Sequence, residues 1–167
     1  MTAVQRFLVG HVLVATAAFA FALARAEQLL ASLAVIAVGA LWLAALRRDA
    51  GPVSSIFMNL LVLSGAAAFL FGSVGVLPLV GTVAALGAWD LAHFYQRLRA
   101  ADRVDESSGV GRDHLKRLGL VEALGFLIGL VGLTTRLQIS FWWEVLLAIL
   151  AMIGLTRLIR YVRSEID

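Results

Sequence analysis

An all-α polytopic transmembrane bundle of six helices, with both termini cytoplasmic, is the fold this sequence predicts, and three observations carry that expectation. Of 167 residues, 61% are hydrophobic and only 15% charged, where soluble domains hold about 45–50% and about 25%; the mean hydropathy is +0.92. Six apolar runs approach the roughly 20 residues that a helix needs to cross hydrocarbon. The basic residues gather at the ends of those runs, and mostly on one side.

The runs are about Val4–Ala24, Leu29–Leu46, Val53–Gly72, Leu77–Leu98, Leu115–Thr135 and Phe141–Tyr161. Short connections separate most of them. Arg25-Ala26-Glu27-Gln28 is a polar turn, and Arg47 to Pro52 combines charge with a Gly-Pro breaker. Ser73 to Pro78 is an uncharged Gly/Pro connection, and Thr134 to Ser140 is the last turn. Only Arg99–Asp113 is long and polar enough to read as a loop, placed on the cytoplasmic side. The whole chain, 1–167, reads as a single transmembrane domain.

Orientation follows from the cations. With the N-terminus inside, the cytoplasmic side holds Arg6, Arg47, Arg48, Arg97, Arg99, Arg103, Arg112, Lys116, Arg117, Arg157, Arg160 and Arg163. The other side holds Arg25 and Arg136. Twelve against two is a positive-inside bias that recurs at every loop. The pI of about 10.2 therefore reads as topogenic, and no nucleic-acid partner is expected. The expected partners are the lipid bilayer and other membrane proteins or a second copy. The expected location is a bacterial or archaeal cytoplasmic membrane. The chain has no cysteine, which excludes disulfides, thiolate catalysis and Cys-ligated metal centres.

Two further patterns concern the first span. Arg6, the apolar run and Ala22-Leu23-Ala24 resemble a signal peptide with a small-residue cleavage site. The run is long for a signal, so it is read as a retained span. Residues 5–11 can also be laid over residues 116–122, and Arg6 to Arg25 spans the same nineteen residues as Arg117 to Arg136. That is the pattern of a duplicated helical hairpin, a common device in transporters.

Ionisable groups inside hydrocarbon are costly, so those within the runs are the candidates for function. His11 and Glu122 each stand five residues beyond an Arg, Asn59 stands seven beyond Pro52, and His93 and Asp90 precede Arg97 by four and seven. At 1.5 Å per residue these five groups lie about 6–10 Å inside their flanking markers. His11 shares a stripe with Ala15, Ala18 and Ala22. Glu122 shares one with Gly125, Gly129 and Gly132, Asn59 with Ala66, and Asp90 lies a turn beyond Gly87. Small residues mark close helix approach. The expectation is a shared polar pocket lined by His11, Asn59, Asp90, His93 and Glu122, with Arg97 available for pairing.

Such a pocket would bind or conduct a proton, ion or small polar solute, with Asp90 and Glu122 titrating and His93 as partner or relay. The competing expectation is an accessory or structural membrane subunit, in which the same groups only tie helices together. Two cofactor readings are narrower. His11 and His93 could ligate a b-type haem, and Asp90, His93, Glu122 and His11 offer donors for a divalent metal in a hydrolytic site. No His-Glu-x-x-His or Gly-x-Ser-x-Gly motif supports an enzyme, and none is expected. Trp42, Trp89, Trp142, Trp143 and Glu144 read as interfacial residues, Arg157, Arg160 and Tyr161 as the end of the last span, and His114 as solvated.

Overall fold

The computed structural model describes residues 2–48, 53–73, 75–100 and 108–135, and within them the chain is all-helical. Five helices follow in order: α1 (Ala3–Arg25), α2 (Leu29–Arg47), α3 (Ser54–Leu70), α4 (Val76–Ala100) and α5 (Ser108–Thr134). Four of them, α1, α2, α4 and α5, are long and apolar enough to cross a membrane, and α3 is a shorter apolar helix of 17 residues. The chain divides into two compact units, Met1–Thr134 and Thr135–Asp167. All five helices belong to the first. The expected sixth span, 141–161, with its tryptophans and arginines, lies outside the described residues.

Each boundary has a local cause. Thr2 opens α1 with a capping box: its hydroxyl accepts from the Gln5 amide at 3.3 Å, and its own amide donates to Gln5 Oε1 at 2.9 Å. Glu27 closes the same helix at φ 60, while the Gln28 amide reaches back to the Leu23 carbonyl at 2.9 Å. Gly72 repeats that ending after α3 at φ 81, with Ser73 bonded to Ala68 at 2.9 Å. Both are left-handed terminations of the Schellman type. Pro78 falls in the first turn of α4, where a missing amide costs nothing.

Within the helices, hydroxyls turn inward on their own backbone. Thr16 donates to the Val12 carbonyl at 2.7 Å, and Thr82 to that of Pro78 at 2.8 Å. In hydrocarbon no water is available, so such internal bonds are the economical solution.

The helix α1 is the hub. Val12, Ala15, Phe19 and Ala22 have no exposed surface, and α1 touches each of the other four helices. Its most extensive contact is with α4, to which it runs antiparallel: Gln5 Nε2 donates to Tyr95 at 2.6 Å, His11 meets Gly87, and Phe19 meets Gly81. Small residues on α4, including Ala84, Ala85, Ala88 and Ala92, are buried along that seam. The helix α5 lies parallel to α1, with Val4 beside Gly111 and His11 beside Glu122, and antiparallel to α4, with Leu79 against Gly129 and Asp90 against His114.

Two expectations change here. The polar segment 99–113 is not all loop: α4 continues to Ala100 and α5 begins at Ser108, seven residues before the apolar run starts. Those first turns are polar, so hydropathy does not reveal them; they are held by Val4 against Gly111 and by the His114 ring. Trp42 does not face outward as a belt residue would: it is fully buried, stacked at 6.2 Å on Phe57, with its indole N–H 3.4 Å from the Ser54 hydroxyl. The N–H of Trp89 donates to Ser55 at 3.0 Å. Both tryptophans join helices within the bundle.

Candidate functional site

The five singled-out side chains do not meet at one place. They divide into a pair between α1 and α5, a pair between α4 and α5, and two residues without a common partner.

The first pair is His11 and Glu122. His11 Nε2 lies 3.0 Å from Glu122 Oε1 and 3.2 Å from Oε2, and each side chain is about a fifth exposed. His11 Nδ1 is 2.8 Å from the Phe7 carbonyl of its own helix. A carbonyl oxygen can only accept, so Nδ1 carries a hydrogen. The opposing Nε2 and carboxylate then share one further proton, as imidazolium with carboxylate or as imidazole with carboxylic acid. Either arrangement is net neutral, which spares the roughly 2.5–3.5 kcal/mol that a lone charge costs at the centre of a membrane helix. Gly87 of α4 makes room for the pair: a Cβ there would collide with the Glu122 carboxylate and come within 2.7 Å of the His11 ring. Three helices thus converge on one neutral polar contact.

The second pair joins Asp90 to His114, a residue expected to be solvated. His114 Nε2 is 2.7 Å from Asp90 Oδ2, too far off line for a hydrogen bond. The imidazole is stacked on Phe94 at 3.8 Å and 6° between planes. The signal for this contact lay in the polar turns of α5 that extend past the membrane run.

The other two residues depart from the expected pocket. His93 Nδ1 is satisfied by the Trp89 carbonyl one turn earlier at 2.9 Å, and its ring rests 4.6 Å from the Trp89 indole. Asn59 is exposed on α3, as is Ala66 on the same stripe, because Leu61, Gly65 and Ala68 form the buried face of that helix. Arg97 is exposed at the end of α4 and makes no ion pair with Asp90, which faces His114.

The cofactor expectations meet the same geometry. His11 has both ring nitrogens engaged, leaving none for haem iron beside His93. Asp90, His93, Glu122 and His11 do not gather, and among the described residues no three His, Asp or Glu side chains are grouped to hold a metal.

The His11–Glu122 contact forms part of the wall of an open-sided cavity of about 680 Å³. Arg6, Gly10 and Val14 line it from α1, Val80, Val83 and Ala84 from α4, and Gly119, Ala123 and Phe126 from α5. That volume lies inside the roughly 300–1,000 Å³ range of small-molecule sites. Its lining is apolar except for Arg6, His11 and Glu122. Gly10 and Gly119 keep it open: among the described residues, nothing stands within 4 Å of where their Cβ atoms would be.

The chain matches no protein-family model, no curated protein and no solved structure.

Proposed function

We propose that this chain is a small integral membrane protein of six spans, termini cytoplasmic, that binds a small amphipathic molecule in the groove between α1, α4 and α5. Binding is favoured over conduction because the polar groups are separated. Glu122 and His114 stand eight residues apart on α5, about 12 Å at 1.5 Å per residue, so the two pairs do not form one relay. The observation that carries the proposal is a sizeable apolar cavity with a neutral His–Glu contact in its wall. That contact can accept a hydrogen bond through the Glu122 carboxyl, and Val14, Val80, Val83 and Phe126 offer an apolar bed beside it.

The positive-inside count supports the orientation, and the long apolar helices are compatible with a cytoplasmic membrane. A specific observation favours the accessory-subunit reading as well, since both polar pairs tie helices together.

The test fills the groove. Gly10→Leu with Gly119→Leu places two side chains in the open space. A panel of single-chain amphiphiles and of water-soluble solutes is then added to detergent-purified protein, and thermal unfolding is followed by circular dichroism. Amphiphiles should raise Tm of the native protein and leave that of the filled variant unchanged. Equal shifts in both proteins, or none in either, would leave the accessory role as the better reading.

A further inference from the structure

The groove has a polarity along its length that specifies its occupant further. Arg6 lines its cytoplasmic end and is exposed. The contacts of Val4 with Gly111 and of His11 with Glu122 set the register of the parallel helices α1 and α5, and that register brings residues 113–117 level with Arg6. Lys116 is in that set, one turn before the lining residue Gly119. Its only near carboxylate among the described residues is Asp113 at 3.8 Å, and both side chains are about three-quarters exposed. So loose an ion pair has little holding power, and the ammonium remains available to another anion.

Five residues deeper than Arg6, about 7 Å by helix rise, the His11–Glu122 contact supplies one hydrogen-bonding spot. Deeper again the lining is apolar, from Val14 to Val80, Val83 and Phe126. Cations at the interface and an open-sided apolar bed beyond match the two ends of a phospholipid, anionic head and acyl chain.

We propose that the occupant is a single anionic phospholipid of the cytoplasmic leaflet, its phosphate between Arg6 and Lys116 and one acyl chain lying in the α1/α4/α5 groove. This rests on the binding role proposed above and adds the charge and source of the ligand. Among the described residues the groove is open rather than an enclosed chamber, and an opening toward the bilayer would admit a lipid without passage through water. Juxtamembrane cations each contribute about 1 kcal/mol toward anionic lipid. Two of them together correspond to a preference of roughly thirtyfold over a zwitterionic lipid.

Native mass spectrometry of protein released from nanodiscs of mixed phosphatidylglycerol and phosphatidylcholine tests this directly. The unmodified chain should retain one phosphatidylglycerol in large excess over phosphatidylcholine. Arg6→Gln with Lys116→Gln should remove the preference while keeping a retained lipid, whereas Arg47→Gln with Arg97→Gln, at the same membrane face but outside the groove, should leave the preference intact. Equal retention of both lipids by the unmodified chain overturns the charge assignment and leaves the binding role standing. The same preference in the Arg6/Lys116 variant also overturns it. Retention that persists in Gly10→Leu with Gly119→Leu shows that the lipid sits elsewhere and removes both proposals.

Discussion

The two flanks of α1 use the same residue type to opposite ends. Toward α3 and α4, Gly65 and Gly81 are recesses for the fully buried Phe19, whose ring would stand 2.5 Å and 2.7 Å from an added Cβ. Toward α5, Gly10 and Gly119 have no such neighbour among the described residues, and a cavity of about 680 Å³ lies between them. One flank is closed by packing. The other is held by a polar contact and left open beside it. Between hydrocarbon and helix there is little hydrophobic gain from closing a seam, so association depends on close van der Waals packing and interhelical hydrogen bonds. The packed flank uses the first and the open flank relies on the second, which is why α5 can border a cavity and still be anchored.

The largest expected effect is on the packed flank. Phe19→Ala should destabilise the protein by about 3–5 kcal/mol, because a fully buried aromatic is replaced by a void that three helices cannot collapse; unfolding in a denaturing detergent titration measures it. A loss below 1 kcal/mol would mean the seam is not tightly packed. Gly87→Leu should come next, at about 1–3 kcal/mol, since its side chain drives His11 and Glu122 apart. It reads out in the same detergent titration as a lower unfolding midpoint, since the clash falls on both the α1 and the α5 contacts of α4. The smallest effect is expected on the open flank. Gly119→Ala should be neutral or stabilising by up to about 1 kcal/mol, because a helical glycine is replaced with no clash. Clear destabilisation there would show that the flank is closed after all.

Much of this architecture is legible in the amino-acid sequence. Apolar run length places the five described helices because backbone in hydrocarbon has few alternatives to a helix. Matched depth puts His11 and Glu122 at one level among five candidates, and these two are in contact, since equal distance from a flanking arginine is a real coordinate along a helix. Depth does not give azimuth. Asn59 and Ala66 share a face as expected, but that face points outward, and a stripe containing a small residue looks the same from either side. His93 is level with the others yet bonds its own helix, a local option that every helical histidine has. The Asp90 contact was hidden because its partner, His114, lies in helical turns beyond the membrane run, where hydropathy carries no signal.

The central claim is that His11 and Glu122 hold α5 to α1 across Gly87. A double-mutant cycle with His11→Leu, Glu122→Leu and the pair, read as unfolding free energy in detergent, tests it. The predicted coupling is about 0.6 kcal/mol and at most about 1.7 kcal/mol, the average and maximum for interhelical hydrogen bonds in one membrane protein. Strictly additive losses would contradict the pairing and, with it, the placement of the groove.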